Sequence, residues 1–293
     1  MQARLDRVRK ANIDVCTVCN HRCVFCPSHD RRAVRTVLPL ADFCLAMSQL
    51  AAATRIEELG LSAKGEPLLN PELAAIVSAA KREFSVPYVY ISTNGALLDQ
   101  ARLAALLDAG LDSLKFSLNA FDRETYAAVH GRDDFEAVLA NVRGAIAAMQ
   151  GGRRLRILIS AVSELPGEAI LGRLGDLLGE GLGQVDRIVR YGRCYMPDCH
   201  VERAPDPASL APCPLIFREV YIDASLDLMP CCVDYFGELR FGSLRKTPLA
   251  ELWNGPDFEH LRELHQSRTL PADHLCAKCL AHSSRTTDFV EIK

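Results

Sequence analysis

Three cysteines, Cys19, Cys23 and Cys26, fall within the eight residues CNHRCVFC. The spacing Cys-x3-Cys-x2-Cys is one thiolate short of a closed tetrahedral zinc site and odd-numbered for disulfide pairing. Three soft ligands on one loop suit an iron–sulfur cube held at three corners, and an open corner is where chemistry occurs. On spacing alone the alternative is a zinc ion that borrows His21 or His29. A second set, Cys213, Cys231 and the Cys276–Cys279 pair of CAKC, lies toward the C-terminal end. Four thiolates so spaced suit a zinc ribbon and a cubane cluster about equally.

Twelve cysteines in 293 residues is a high count for a chain long enough to build a core without disulfides. The start, MQARLDRVRK, has no apolar signal-peptide stretch and no apolar run is long enough to span a bilayer, so the sequence predicts a cytoplasmic protein with no membrane partner. In that reducing compartment, clustered cysteines point to metal or catalysis. The net charge of -3, with Lys and Arg scattered, argues against nucleic acid. Cys16 and Cys44 read as small buried hydrophobes, as does Cys232 beside Cys231, and the eight histidines have no metal-type spacing.

These residues need a frame. Residues 11–192 alternate β-type runs with helical ones, the pattern of βα units around a parallel sheet. The strands are 11–18, 55–62, 86–93, 113–119, 155–162 and 185–192, which predicts an α/β fold, a partial (β/α)6 TIM-type barrel. The cysteine loop, AKGEP, STNG, SLN and RYGRC all fall at strand C-terminal ends, the rim where such barrels gather function. The barrel is assigned residues 1–195, a Pro- and Asp-containing linker 196–212, and a small cysteine-rich domain 213–293.

With its cysteine loop directly after the first strand, the chain resembles the radical S-adenosylmethionine (SAM) enzymes. Phe25 matches the position beside the adenine, and LSAKGEPLLNP, with Gly65, Glu66 and Pro67, matches the segment that binds the methionine amine. Ser92, Thr93 and Asn94 of STNG, together with Ser117 and Asn119, match contacts to ribose and carboxylate. Lys64 departs from a common second glycine there. PCC followed by FGSLRKTPLAELWN resembles the auxiliary-cluster domain called SPASM, or its shorter twitch form, and four spaced thiols suit the single cluster of the latter. His130 and Gly131 look like a common family turn and receive no catalytic role.

The resemblance implies two 4Fe-4S clusters, SAM, and an external reductant such as flavodoxin or ferredoxin. Electron transfer into the sulfonium would release a 5'-deoxyadenosyl radical that takes a hydrogen atom from a small-molecule substrate. The spacing of the second cysteine set is similar to that of the 2-deoxy-scyllo-inosamine dehydrogenases and aminoglycoside epimerases. That points to a carbinol carbon of an aminocyclitol or sugar, either oxidised to a ketone or inverted. Cys194 and Cys199, just past the sixth strand, are candidate hydrogen donors for inversion, and Arg193 is a candidate substrate contact, with Tyr191 and Tyr195 lining the same cavity. A maturase of ribosomally made peptides is the runner-up, though it often carries an N-terminal recognition domain for which the early first strand leaves no room. A non-catalytic zinc protein is the third reading.

Overall fold

The computed structural model describes residues 4–27, 30, 33–61, 64–191, 211–283, 287–290 and 292. Six strands lie side by side in chain order: β1 (Lys10–Ile13), β2 (Glu58–Gly60), β3 (Tyr88–Thr93), β4 (Ser113–Ser117), β5 (Arg156–Val162) and β6 (Arg187–Tyr191). Every neighbouring pair among them is parallel, as the βα alternation predicts. The first is shorter than expected because the chain leaves the sheet after Ile13 to form the cysteine loop.

Helices α1 (Leu40–Ala53), α2 (Leu73–Arg82), α3 (Gln100–Ala109), α4 (Arg123–His130), α5 (Phe135–Gln150) and α6 (Gly167–Leu178) connect these strands. The helix α4 is not anticipated from the sequence, its eight residues being polar on average. Its ends are capped. The Asp122 carboxylate accepts the Thr125 N–H at 2.8 Å, and Gly131 closes the helix at a φ of 65°.

The C-terminal part adds α7 (Leu215–Arg218), β7 (Glu219–Ile222), β8 (Leu228–Met229), α8 (Leu249–Trp253), α9 (Pro256–Ser267), α10 (Leu275–Ser283) and β9 (Thr287–Val290). The strand pair expected in a separate appendage instead joins the barrel sheet, whose order is β8-β7-β1-β2-β3-β4-β5-β6-β9. β7 runs parallel to β1, and β9 runs antiparallel to β6, so the C-terminal part covers both edges of the six-stranded unit. At its centre the buried Arg262 guanidinium lies 4.4 Å from the Trp253 ring centroid and 4.0 Å from that of Phe258. It also donates to the Ile216 and Trp253 carbonyls at 3.1 and 2.7 Å, which offsets the cost of burying its charge.

Strand alternation sorts the side chains. Ala11, Ile13, Val89, Ile91, Leu114, Phe116, Ile157 and Ile159 are buried in the hydrophobic core. The intervening Lys10, Asn12, Tyr90, Ser92, Lys115, Ser117 and Ser160 face the barrel cavity. The core therefore lies outside the barrel wall, and a set of polar side chains projects into an otherwise largely apolar interior. Among the described residues no helix is long and apolar enough to cross a membrane.

Candidate active site

One cavity of about 440 Å³ occupies the barrel and opens at the cysteine loop. Cys19, Cys23, Cys26 and Phe25 line one side, and Gly65, Glu66, Thr93, Asn94 and Asn119 line the rim, with Ser92 and Ser117 on the wall below. Cys231 and Cys232 line it from the C-terminal part, so the two cysteine sets face one chamber. Pro67 is buried at the start of the 3-10 turn Pro67–Leu69 and does not line the cavity. Tyr191 does line it. Arg193, Cys194, Tyr195 and Cys199 lie outside the described residues, as does His29.

The cysteine loop is a tight turn in which the Cys26 N–H donates to the Cys23 carbonyl at 3.0 Å. The His21 N–H and the Asn94 amide donate to the Cys19 sulfur at 3.4 and 3.8 Å, contacts that favour a thiolate there. Burial opposes them, pushing the Cys19 thiol up to about 11 and that of Cys23 to about 12. An iron cluster offsets that cost, so three soft donors beside an open cavity fit a cubane.

The second set behaves alike. Cys231 and Cys279 are pushed up to about 12 and Cys213 and Cys276 are raised, in each case chiefly by burial. The thiols also crowd, since charge on Cys213, Cys231 or Cys279 further disfavours ionisation of Cys276. Four thiols close enough to disfavour one another's ionisation fit a closed cluster. Cys232 is pushed up to about 11 by burial and, second, by Asp14, and it contributes to the cavity wall. Cys16 is buried and Cys44 packs partly against the core, as small hydrophobes do.

Glu66 clamps the rim. Its Oε1 accepts the Leu68 N–H at 3.0 Å and the Thr93 hydroxyl at 2.7 Å, and its Oε2 accepts the Asn94 N–H at 2.8 Å. These bonds join the Gly-Glu-Pro segment to the end of β3. Burial nevertheless raises its pKa to about 6. At Gly65, with φ of 66°, a Cβ would stand 2.5 Å from the Val18 carbonyl oxygen, so the segment passes the cysteine loop at backbone distance.

Lys64 explains its own departure from glycine. Its ammonium is buried 3.7 Å from Asp14 Oδ2, and Asp14 Oδ1 accepts the Tyr221 hydroxyl at 2.5 Å. Burial holds Asp14 up at about 6. Below, Glu219 pairs with Lys10 at 3.1 Å and accepts from Asn12 at 3.0 Å. Lys115 has no ion pair among the described residues, its ammonium lying 5.8 Å from the Tyr191 ring centroid. The sequence reading missed this inner wall. The polar residues at alternate strand positions were its signal.

A second feature was also missed. His21 and His130, far apart in sequence, meet beside Cys23, with their Nδ1 atoms 3.1 Å apart. Burial lowers the pKa of both, that of His130 to about 4.

Residues 13–158 match the Radical SAM superfamily, and residues 213–280 match the iron-sulfur cluster-binding domain SPASM. The chain belongs to the radical SAM superfamily. This radical SAM protein thus takes 4Fe-4S clusters and SAM as cofactors. Among curated proteins it is similar to the GTP 3',8-cyclase of Chlorobaculum tepidum, 37% identical over 128 residues, 43% of this chain and 37% of that one. The GTP 3',8-cyclase of Corynebacterium glutamicum is 32% identical over 151 residues, 48% of this chain and 38% of that one. The matched part therefore spans about two fifths of those relatives' length.

Solved structures share the fold at low identity. BtrN in complex with AdoMet and 2-DOIA superposes on the radical SAM protein with a TM-score of 0.62 at 16% identity, covering 92% of each chain. Streptococcus suis SuiB bound to S-adenosylmethionine gives 0.69 at 16%, covering 88% of this chain and 68% of that one. Native anSMEcpe with bound AdoMet gives 0.65 at 12%, covering 92% and 88%.

Proposed function

We propose that this radical SAM enzyme abstracts a hydrogen atom from a carbinol carbon of an aminocyclitol or aminoglycoside-type sugar, leading to epimerisation or to a ketone. The observation that carries this reading is the chamber shared by the cysteine loop and Cys231, whose largely apolar wall carries spaced hydroxyl and ammonium groups. Such a wall suits a polyol, because each ligand hydroxyl needs a partner once water is expelled. The match in fold to BtrN with 2-DOIA supports the same class of substrate.

When bound, SAM and its cluster supply the hydrogen-abstracting radical. The chain's own residues position the reactants. Cys19, Cys23 and Cys26 would hold the first cluster, with Phe25 beside the adenine. Gly65, Glu66 and Pro67 would shape the methionine site, while Ser92, Thr93, Asn94, Ser117 and Asn119 would meet ribose and carboxylate. Cys213, Cys231, Cys276 and Cys279 would hold the auxiliary cluster. Residues 1–195 form the SAM-cleaving unit in this reading and residues 213–293 the auxiliary one. In the epimerase branch, Cys194 or Cys199 returns hydrogen to the opposite face, and Arg193 contacts the substrate. A flavodoxin or ferredoxin supplies electrons.

Anaerobic incubation with candidate aminocyclitols and aminoglycosides in deuterium oxide tests this. An inverted product carrying solvent deuterium identifies a thiol donor, and a product two hydrogens lighter identifies oxidation. If only GTP or a peptide is consumed, the sugar reading is wrong. Cys194→Ala and Cys199→Ala variants that both retain full inversion would exclude those donors. Peptide maturation is the second reading, favoured by the fold shared with SuiB bound to precursor peptide SuiA, at a TM-score of 0.69.

A further inference from the structure

Cys23 faces two donor sets. On one side stand Cys19 and Cys26, and on the other the Nδ1 atoms of His21 and His130. One ligand atom from each of Cys23, His21 and His130 lies within 4.8 Å of the other two, with 3.4 Å between Cys23 Sγ and His130 Nδ1 and 3.1 Å between the two Nδ1 atoms.

The other nitrogen of each ring fixes its tautomer. His130 Nε2 lies 2.9 Å from the Leu118 carbonyl oxygen, and His21 Nε2 lies 3.2 Å from Asp134 Oδ2. A carbonyl accepts only, and so does an ionised carboxylate, so each Nε2 carries the hydrogen. In the neutral rings both Nδ1 lone pairs then point inward, 3.1 Å apart. One thiol hydrogen on Cys23 can serve only one of them. A positive centre among the three atoms, a metal cation or a proton on one ring, would satisfy both lone pairs.

The surroundings fit that centre. A histidine that binds metal through one nitrogen usually donates the other N–H to a carbonyl or carboxylate, and both rings do so here. Tyr126 stacks on His130 at 4.1 Å between centroids and holds its plane. Arg132 holds Asp134, its Nε donating to Oδ2 at 3.2 Å. One thiolate and two imidazoles form a borderline-soft set that leaves a tetrahedral ion one open position.

We propose that the chain, before its first cluster is loaded, binds one zinc-class divalent cation through Cys23 Sγ, His21 Nδ1 and His130 Nδ1. The thiol proton leaves to solvent and water fills the fourth position. Cys23 cannot serve this ion and the cluster together, so on the reading that Cys23 is a cluster ligand the two occupants exclude each other. The cation guards the Cys23 thiolate until iron and sulfide arrive, and excess zinc blocks cluster assembly.

The test uses the full chain, freed of metal under anaerobic conditions, with Cys19, Cys26, Cys213, Cys231, Cys276 and Cys279 replaced by Ser. Cobalt(II) is the probe. The expected result is one ion per chain, with a near-ultraviolet thiolate-to-cobalt band and tetrahedral visible absorption that zinc displaces. His21→Ala and His130→Ala should each weaken binding by about tenfold or more. No band at stoichiometric cobalt, or one unchanged in both variants, overturns the proposal. This arm is independent of cluster and substrate. A second arm guards against misfolding: the metal-free parent chain receives one equivalent of zinc before reconstitution. Loss of only the SAM-perturbed cluster signal, with relief in His130→Ala, supports the site. Equal loss of both clusters, no loss, or no relief refutes it.

Discussion

The Lys64 ammonium and the Asp14 carboxylate stand 3.7 Å apart with both side chains buried. Removing one member of such a pair leaves the other as an uncompensated charge. Lys64→Gly, although it restores the common family residue, should therefore destabilise the metal-free chain by about 3–5 kcal/mol. Adding Asp14→Asn should recover much of that loss. Denaturant unfolding measures both, and equal losses in the single and double variants would mean that the pair is not the source.

Gly65→Ala should cripple SAM binding while leaving most of the fold intact. The left-handed φ of 66° costs a residue with a Cβ about 1–2 kcal/mol, and the Val18 carbonyl 2.5 Å from that Cβ adds a clash. The segment must retreat from the cysteine loop. Equilibrium dialysis of the cluster-loaded protein should read a SAM affinity weaker by about tenfold or more; unaltered affinity would contradict a role for this segment in the cofactor site.

Glu66 gives a pH signature. Burial raises its pKa from 4.5 to about 6, so between those values the folded chain keeps a proton that the unfolded chain has released. Its contribution to stability is fully present below pH 4.5 and is lost as pH rises through about 6, by about 2 kcal/mol in all. Glu66→Gln does not titrate. The unfolding free energy of the parent minus that of the variant should fall by about this amount across the window. A difference independent of pH would show that Glu66 is not desolvated.

Cluster assignment predicts separable losses. Anaerobically reconstituted parent protein should be brown, with about eight irons, and Cys19→Ala, Cys23→Ala and Cys26→Ala should each abolish reductive SAM cleavage and keep about four. Cys276→Ala should also lose about four irons yet still cleave SAM. Substantial cleavage by a triple Cys19, Cys23, Cys26 variant would refute the first site, and a colourless parent would favour zinc.

The parts legible in the sequence were those encoded locally. Six strands and five of their helices follow from apolar periodicity, and the rim from polar turns after strands. α4 escaped because it is short and polar on average, with only Tyr126 and His130 buried between its Asp122 and Gly131 caps. β9 escaped because Thr287–Val290 becomes a strand only by pairing with β6. His130, read as a turn residue, acquires its place beside Cys23 from contacts 107 positions apart. Lys64 was visible as an anomaly, but its reason, Asp14 with Tyr221, needs β1 and β7 side by side. Tertiary proximity of distant polar residues has no signature in a single chain.

The placement of β7 and β9 on opposite flanks has a consequence during synthesis. β1 is made before the other five barrel strands, yet one of its hydrogen-bonding neighbours, β7, is made only after all six. A nascent chain at that stage exposes two unsatisfied edges, templates for misassociation until the last segments emerge. The two cysteine sets therefore face one chamber only after residues 213–290 have been made and docked on the barrel, which places loading of the second set after the six strands are complete.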